Sequence, residues 1–565
     1  MTTAMFTAFI IFGIIAFFLL LSLISNQRRL RKIKKRLAYY YGRWRELDYS
    51  DETIASIGEY TSSKERMIDD ITWNDLDMDS LFLSINHTWS FAGEDYLYYL
   101  LHVPKVDPKE WAEQEEMISY YQTHEKERIE MQLEFARVGK NHAASVYTYI
   151  QESIQLNAKT PLIHYLFLGL LIFSVGMIFI EPAKGVGILF ICMAINICGY
   201  FYKRKGKERG MQALQYFTRL SKSAGRIIKK DLIYSEKYKE RLAHNVKVLK
   251  KQMGGTAFFQ PANMDSMSLT DAVMDYIRMI THIDSILFSR CMRRLQKEMD
   301  VVENLITTMG FLESMLTVGS LRKSLPYWCT PEFTEDKMLD IVDAYHPRLE
   351  EPVPNSVSVT GGILITGSNA SGKSTFLKTV ALNVILAQSL HTCAAKEYRG
   401  KWFHIFSSMA LRDNLYNGES YYIAEIKALK RVMEQSDGDA PALCFVDEVL
   451  RGTNTVERIA ASTQVLKRFY EKGILCFAAT HDIELTYLLE DFYDNYHFQE
   501  QVVDGQVVFD YLLYKERSTS RNAIQLLKML GYDEQITEGA GEMVETFMRT
   551  GKWSLDERNV EKCPQ

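Results

Sequence analysis

Long runs of apolar residues without charge occur at three places in the chain. They are residues 5–24, 161–180 and 185–202, and only a short polar stretch separates the last two. About 20 residues of α-helix, at about 1.5 Å per residue, span roughly 30 Å, which is the thickness of the hydrocarbon core of a bilayer. The pattern therefore predicts three membrane spans, namely an N-terminal anchor and a transmembrane hairpin.

Positively charged side chains follow two of these runs, at residues 28–36 and 203–207. Because basic residues next to membrane spans stay on the cytoplasmic side, we expect the N-terminus outside and residues 27–160 and 203–565 in the cytoplasm, with the protein in the inner or plasma membrane. Three alternatives stay open: a cleaved signal peptide in place of the anchor, a buried helical hairpin of a soluble core, and DNA-binding patches at the basic runs.

The regions on either side of the hairpin have helical periodicity. In residues 203–252, apolar residues recur at three- and four-residue steps in a stretch without proline. Residues 27–160 and 203–350 are therefore predicted to be mostly helical. Such helices serve either as long levers or as members of a packed bundle, and periodicity does not separate the two.

The composition is that of a protein with large packed cores. Apolar residues make up 47% and charged residues 24% of the 565 positions, which excludes a disordered or collagen-like chain. The net charge of −5 provides no overall basic field, so any site for nucleic acid must be local. None of the eight cysteines forms a C-x-x-C pair, so we expect reduced core thiols, as in a cytosolic protein, and no metal site or disulfide framework.

A phosphate-binding loop is predicted between a strand and a helix. Residues 362–366 are an apolar run typical of a buried strand, and residues 376–382 have the composition of a helix. The loop between them matches G-x-x-x-x-G-K-[ST] and consists of Gly367, Ser368, Asn369, Ala370, Ser371, Gly372, Lys373, Ser374 and Thr375. Its glycines and the helix N-terminus direct N–H groups at the phosphates of a nucleotide. Lys373 is predicted to reach the β- and γ-phosphates, and Ser374 to ligate Mg²⁺.

Two further strands are predicted to bring acid–base groups to the same place. Residues 442–446 are an apolar run followed by Asp447 and Glu448, and residues 474–480 are another, followed by His481. Parallel strands of one sheet end at the same edge, so these side chains are expected beside the loop. Asp447 is predicted to hold Mg²⁺ through water, Glu448 to polarise the attacking water, and His481 to sense the γ-phosphate. A purely structural role for His481 is the alternative.

Together these residues resemble the ATPase domain of the MutS family, which is itself similar to ABC-type ATPases. The strings that carry the resemblance are T-G-S-N-A-S-G-K-S-T at 366–375, D-E-V-L-R-G-T at 447–453 and A-T-H-D at 479–482. The resemblance implies ATP and Mg²⁺ as cofactors, ATP hydrolysis and a homodimer. In the family a serine contacts the γ-phosphate bound by the other subunit; Ser420, in the string N-G-E-S, matches it and would bind ATP in trans.

The sequence also departs from the family pattern. Ala370 replaces the usual Met of the loop, Leu450 stands at a glycine position, and Glu457 and Arg458 stand where Asp-Gly is usual. The last two departures put details of the subunit contact in doubt, but not ATP binding. The anchor and a short segment stand in place of the large N-terminal domain with which mismatch-reading members recognise DNA. Residues 333–335 fit that domain's Phe-x-Glu tripeptide, and we interpret this match as chance.

The predicted fold is an α/β P-loop NTPase domain of the ABC-like type at the C-terminus, an all-α lever or core domain, and three transmembrane helices. The string T-W-S-F-A-G at 88–93 resembles the start of the family's lever domain. The predicted domains are the anchor 1–26, a cytoplasmic helical region 27–160 that is lever-like from about 70, the hairpin 161–202, a helical region 203–340, the ATPase domain 341–540 and a C-terminal tail 541–565. Because the hairpin lies between long helices predicted at 109–156 and 203–252, we expect it at a lever tip, where soluble members carry a DNA clamp.

Three functions are compatible with this organisation. The first is a MutS-like, mismatch-repair-type ATPase at the membrane that binds DNA as a dimer. The second is a membrane-anchored ATPase switch that acts on a protein or lipid partner without mismatch recognition. The third, an ABC-type transport component, is disfavoured because three spans are few for a translocation path and the string D-E-V-L-R-G-T-N-T fits MutS better.

Overall fold

The chain folds into two compact units. The computed structural model describes residues 17, 24–25, 27–45, 47–62, 64, 67–104, 108–140, 162–204, 208–253, 276–336, 339–368, 371–409, 421–436, 440–503, 506–517, 524, 527–528, 531–551 and 553. The first unit consists of Met1–Met67, Met78–Pro326 and Gln388–Thr392, and the second of Ile68–Asp77, Tyr327–Ala387 and Cys393–Gln565. The domain boundaries given above stay a prediction.

The first unit is built from helices, and its described residues contain no strand. After a helix at 27–40, the helices up to residue 326 are α1 (Asp51–Ser62), α2 (Asp70–Asp75), α3 (Met78–Ile85), α4 (Phe91–His102), α5 (Pro108–Thr123), α6 (Glu125–Val138), α7 (Leu162–Ile180), α8 (Pro182–Arg204), α9 (Glu208–Lys229), α10 (Glu236–Gln252), α11 (Ile283–Leu295) and α12 (Met299–Ser324). Only α2 belongs to the second unit. The predicted helical character is confirmed for the described residues up to Ser324.

The central helix α12 is buried over most of its length and fixes the loop before α4. Its Glu313 accepts hydrogen bonds from the backbone N–H groups of Trp89 and Ser90 and from the Ser90 hydroxyl. Ser90 in turn caps α4 by accepting a hydrogen bond from the N–H of Gly93. Burial raises the pKa of Glu313 to about 7. The string at 88–93 is therefore a helix-capping turn closed by a distant carboxylate.

The long levers predicted at 109–156 and 203–252 are wrong for the described residues. The first is divided into α5 and α6, which meet at His124, and the second into α8, α9 and α10. Asp231, between α9 and α10, has a left-handed backbone with φ 54°, and such a residue ends a helix. Apolar periodicity continues through such a turn because both helices bury one face in the same unit.

Two described helices, Leu162–Ile180 and the first 21 residues of α8 (Pro182–Tyr202), are long and apolar enough to cross a membrane. They pack as a hairpin whose outward side chains are exposed, Phe179 by 86%. All but two residues of the third predicted span, 5–24, lie outside the described residues. Among the described residues there are therefore two candidate spans, and the third predicted span stays a prediction.

A buried polar cluster joins the base of this hairpin to α11. The Nδ1 atoms of His164 and His282 lie 2.9 Å apart, and Nε2 of His282 lies 2.9 Å from the carbonyl oxygen of Asn196. The hydroxyl of Tyr200 donates to Oδ2 of Asp284 at 2.7 Å. Polar groups at the end of an apolar hairpin satisfy one another here, which fixes the hairpin to its own unit.

The second unit contains two sheets. Its strands are β1 (Glu332–Phe333), β2 (Leu339–Ala344), β3 (Asn355–Val359), β4 (Gly362–Thr366), β5 (Glu397–Gly400), β6 (His404–Ser408), β7 (Ala442–Asp447), β8 (Leu475–Ala479), β9 (Tyr493–Val503) and β10 (Gln506–Lys515). Its remaining helices are α13 (Lys373–Leu390), α14 (Tyr421–Gln435), α15 (Thr455–Glu471), α16 (Ile483–Leu488) and α17 (Glu534–Thr550). The strands β1 and β2 fall within the region predicted to be helical, so the helical region ends earlier than predicted.

The larger sheet positions the candidate site. Its order is β10-β9-β4-β8-β7-β6, and all strands from β9 to β6 run parallel, with β10 antiparallel at the edge. The three strands predicted from sequence, β4, β7 and β8, lie side by side at its centre and are buried. The smaller sheet has the order β1-β5-β2-β3. The mixed α/β fold of this unit agrees with the predicted P-loop ATPase type.

The short helix α2 packs against β6 of the larger sheet. The Asp75 carboxylate accepts hydrogen bonds from the Ser407 hydroxyl at 2.7 Å and from the N–H of Met409 at 2.8 Å. The Thr72 hydroxyl accepts one from the N–H of Ser407 at 3.1 Å. These residues, expected from the sequence near the start of the lever, therefore belong to the same unit as the P-loop.

Candidate functional site

The phosphate-binding loop turns directly from β4 into α13. Gly367 and Gly372 have backbone φ angles of 147° and 106°, which residues other than glycine rarely adopt. A Cβ atom on Gly367 would lie 2.8 Å from the carbonyl oxygen of Phe498. The loop therefore needs glycine both for its turn and for its close approach to β9. Asn369 and Ala370 lie outside the described residues.

Lys373 begins α13 and its side chain is buried against the loop. Its ammonium group donates to the carbonyl oxygens of Gly367 and Ser368 at 2.7 and 2.8 Å. Burial lowers the pKa of Lys373, and the nearby carboxylates of Asp447, Glu448 and Glu500 oppose this effect. Two of the three ammonium donors are bonded to loop carbonyls, which leaves one for a phosphate oxygen.

The loop residues present fit a bound phosphate. The hydroxyl of Ser371 is buried and has no hydrogen-bond partner among the described atoms, which leaves a donor inside the loop. Thr375 is exposed, at the mouth of the loop. Together with the glycine turn and the ammonium group of Lys373, the Ser371 hydroxyl makes the loop a binding site for anionic oxygens.

Ser374 and Asp447 meet across the ends of α13 and β7. The Ser374 hydroxyl donates a hydrogen bond to Oδ2 of Asp447. Burial raises the pKa of Asp447, and the hydrogen bond from Ser374 opposes this rise. One hydroxyl and one carboxylate oxygen at hydrogen-bonding distance are hard ligands that can share a single Mg²⁺. These two residues would hold the metal, whose charge would neutralise phosphate oxygens.

Glu448 and His481 meet at the ends of β7 and β8. Oε1 of Glu448 lies 3.2 Å from Nε2 of His481, and Oε2 lies 3.2 Å from Nε of Arg451. Glu448 has a left-handed backbone with φ 61°, and its N–H donates to the carbonyl oxygen of Ala479. This backbone turn presents the carboxylate at the edge of the sheet, beside Ser374 and Asp447, the two residues that would hold Mg²⁺.

Leu450, which stands where the family pattern has glycine, also has a left-handed backbone, with φ 57°. A non-glycine residue in this region costs about 1–2 kcal/mol. The Leu450 side chain is buried in the core cluster, and full burial of a leucine contributes about 1.5–3 kcal/mol. Its N–H donates to the carboxylate of Glu425, whose pKa is raised by burial. Packing thus offsets the strain, and the turn is kept without glycine.

Two pairs next to the loop have no sequence motif of their own. The Ser368 hydroxyl donates to Oε2 of Glu500 on β9 at 2.7 Å. Arg458 on α15 forms a two-pronged ion pair with Asp482, at 2.5 and 2.8 Å. Asp482 directly follows His481, so Arg458 fixes the loop that carries the histidine. The departure from the family pattern at Arg458 is therefore part of the site, and only the fold could reveal it.

A cavity of about 280 Å³ adjoins the phosphate-binding loop. Gly372 and Thr375 of the loop line it, together with the rings of His346, Phe498 and Tyr511. Burial, followed by the charges of Arg348 and Lys378, lowers the pKa of His346 to about 4, so its ring is neutral near pH 7. Aromatic rings beside a phosphate loop are suited to a stacked base.

Ser420, predicted to reach the site of a second subunit, lies outside the described residues, as do residues 417–419. Its role stays a prediction. Tyr422 and Glu425, which follow Ser420 closely in the sequence, lie on α14, within the same unit as the loop. Of the predicted site, the structure therefore brings together Lys373, Ser374, Asp447, Glu448 and His481 at one edge of the sheet.

Comparisons with known proteins place similarity in the same region. Residues 363–548 match the family model described as MutS domain V. The DNA mismatch repair protein MutS of Aquifex pyrophilus is 28% identical over 318 residues, which cover 52% of this chain and 37% of that protein. MutS of Rickettsia bellii is 31% identical over 221 residues, covering 37% and 24%. MutS protein homolog 4 of Homo sapiens is 27% identical over 286 residues, covering 48% and 28%.

The matched region begins in β4 and ends in α17, so it contains the loop and the strands that carry the site. The chain spans about a third of the length of the curated relatives it matches.

Proposed function

Because this chain belongs to the MutS family, we propose that it is a Mg²⁺-dependent ATPase that works as a homodimer at a membrane and acts on DNA. The observation that carries the ATPase part is the convergence of Lys373, Ser374, Asp447, Glu448 and His481 at the edge of one sheet. Phosphate transfer to water needs cations for the phosphates and a base for the water, and this edge supplies both kinds of group.

In this proposal each side chain has one task. Lys373 binds phosphate oxygens with its remaining donor, and Ser374 and Asp447 hold Mg²⁺, which offsets the charge of the phosphates when bound. Glu448 takes the proton of the attacking water, since Asp447, the neighbouring carboxylate, is bound to Mg²⁺. His481 holds Glu448 in place and contacts the γ-phosphate. The aromatic cavity beside Gly372 takes the adenine.

The DNA and dimer parts rest on the family. The relatives from Aquifex pyrophilus and Rickettsia bellii are named DNA mismatch repair protein MutS, and Ser420 is proposed to complete the ATP site of a second subunit. The test is the ATPase rate of the full chain in nanodiscs, alone and with homoduplex, mismatched or branched DNA. We expect DNA to change the rate and to retain the protein at low salt. No effect of any DNA, with normal basal turnover, would contradict the DNA part alone.

A second candidate function is a membrane ATPase switch that acts on a protein or lipid partner. It is favoured by the exposed apolar surface of α7 and α8, because contiguous surfaces of this kind mark membranes or partners. We propose that the hairpin is inserted in the inner or plasma membrane, with the ATPase unit in the cytoplasm and the N-terminus outside. Protease protection of tags placed at Ala183 and at the C-terminus would test this arrangement.

Replacing His346 with alanine is expected to raise the KM for ATP about tenfold and to leave kcat nearly unchanged. Stacking on a base contributes about 1–3 kcal/mol, and His346 lines the cavity proposed for the base, whereas Glu448 does not. The measurement is steady-state ATPase kinetics at pH 7, where the ring of His346 is neutral. The matched control is His497→Ala, a histidine of β9 that bonds the carbonyl oxygen of Glu516 and does not line the cavity. An unchanged KM would remove His346 from base binding.

Replacing Arg458 with alanine is expected to lower kcat about tenfold with little change in KM, because the loop carrying His481 loses its ion pair with Asp482. Arg458→Lys should restore part of the rate, since it keeps the charge but not the two-pronged geometry. The control is Arg468→Ala, on the same helix and paired with exposed Glu471. Equal losses in kcat and in melting temperature for both variants would point to a structural role only.

A further inference from the structure

A cavity of about 470 Å³ lies in the helical unit and contains no residue of the ATP site. Its walls combine two kinds of side chain. One kind is arginine, at Arg36 and Arg45, and the other is the aromatic ring, at Tyr40, Trp44, Tyr49 and Trp89. We propose that this cavity is a second small-molecule site, for a phosphate-bearing ligand with a planar ring, of the nucleotide class.

The two arginines are held by rings rather than by acids. The guanidinium of Arg45 lies 4.1 Å from the ring centre of Trp89 and 4.9 Å from that of Tyr40. The guanidinium of Arg36 lies 5.8 and 5.7 Å from the same two rings. In the part of the chain that the structure describes, neither arginine forms an ion pair with a carboxylate. Burial, and then the charge of Arg36, lower the pKa of Arg45. An anion bound between the two arginines would offset both the desolvation of Arg45 and its repulsion by Arg36.

The acids near this cavity are already engaged. Fully buried Glu94 accepts hydrogen bonds from Lys140 at 2.6 Å, from Tyr49 at 2.7 Å and from Asn86 at 2.8 Å. The other buried acid, Glu313, accepts from the backbone of Trp89 and Ser90. Lys140 is thus neutralised by Glu94 on one wall, whereas the arginine wall keeps its charge. The three hydrogen bonds of Glu94 all go to its Oε1, and its pairing with Lys140 offsets the charge of that wall, so the excess positive charge is local to the arginines.

The chemistry of the walls selects the ligand. A guanidinium stacked on a ring presents its N–H edge, which matches the paired oxygens of a phosphate. Tryptophan and tyrosine rings stack on flat rings such as nucleobases. The volume falls within the range of about 300–1,000 Å³ that is typical of small-molecule sites. A phosphorylated lipid headgroup shares the phosphate chemistry, and the cavity borders the helix at 27–40 that follows the predicted anchor.

The test uses the full chain in detergent with the substitution Lys373→Ala, which disables the P-loop. The soluble probes are radiolabelled AMP, GMP and inorganic phosphate in equilibrium dialysis, because monophosphates lack the β- and γ-phosphates that a P-loop grips. The lipid probe is flotation with phosphatidylcholine vesicles, with or without phosphatidic acid. We expect saturable binding of AMP or GMP, weakened about 10- to 100-fold by Arg45→Gln, since hydrogen bonds to charged groups contribute more to affinity than neutral ones.

Three further variants make the result decisive. Arg45→Lys should recover only part of the affinity, because it lacks the planar fork. Arg36→Gln, whose side chain is exposed, keeps the test valid if Arg45→Gln fails to fold. The control Arg43→Gln changes an arginine that stacks on Tyr39 at 4.1 Å outside the cavity and should bind like the parent protein. Binding of phosphatidic acid vesicles or inorganic phosphate alone would overturn the nucleotide assignment. No binding of any probe, or binding indifferent to Arg36 and Arg45, would overturn the site.

Discussion

Replacing Glu448 with glutamine is expected to slow ATP hydrolysis by about 10²- to 10⁴-fold and to leave ATP binding intact. Loss of a positioned general base has effects of this size, and glutamine keeps the shape of the side chain without accepting the proton of the water. The neighbouring Asp447 is bonded to Ser374 and does not replace it. The measurements are single-turnover hydrolysis and the Kd of a fluorescent ATP analogue.

The matched control for this substitution is Glu457→Gln. Glu457 is an exposed glutamate in the first turn of α15, nine positions further along the chain. It changes the net charge by the same amount as Glu448→Gln, so general electrostatic effects on ATP affinity would appear in both variants. Normal turnover in Glu448→Gln would remove the carboxylate from its proposed role. Loss of ATP binding in that variant alone would indicate a part in holding the nucleotide.

The centre of the site could be predicted from sequence because its determinants are local. The glycines of the loop mark backbone turns that few other residues adopt, and Gly367 and Gly372 have those turns. The strands β4, β7 and β8 are continuous apolar runs because parallel strands are buried on both faces. Once these strands are taken as parallel neighbours, the meeting of Ser374 with Asp447 follows from the edge at which they end.

The rest of the site depends on contacts between residues far apart in sequence. Glu500 reaches Ser368 from a strand more than a hundred residues later, and Arg458 reaches Asp482 from a helix. A charged residue on an exposed helix face gives no sign of its partner. The aromatic cavity is similar, since His346 precedes the loop and Tyr511 follows it in the last strand. No spacing rule connects these positions, and only the sheet order brings them together.

The helical regions show the limit of periodicity in another way. A repeat of apolar residues predicts that a stretch is helical, and it is, but the repeat does not report where one helix ends and the next turns back. The left-handed residue Asp231 and the short break at His124 divide the predicted levers. The segment Ile68–Asp77 is a second case. Its neighbours in the sequence belong to the helical unit, but its hydrogen bonds to β6 make it part of the second unit.

Replacing Lys373 with alanine is expected to weaken ATP binding by about 10²- to 10³-fold and to abolish turnover at millimolar ATP. Removing one partner of a buried, hydrogen-bonded charge pair typically costs about 2–5 kcal/mol. The ammonium group also bonds the carbonyl oxygens of Gly367 and Ser368, so its loss frees the loop as well as removing the cation. The measurements are the Kd for an ATP analogue and the ATPase rate as a function of ATP concentration.

Two comparison variants separate the charge from the loop contacts. Lys373→Met keeps most of the side-chain volume without the donors, so it should bind ATP as poorly as Lys373→Ala but melt closer to the parent protein. Lys396→Ala removes a lysine whose ion pair with Asp343 lies at the surface, and it should bind ATP normally because exposed pairs contribute little. If Lys373→Met and Lys373→Ala both bound ATP like the parent, the ammonium group would have no phosphate to hold.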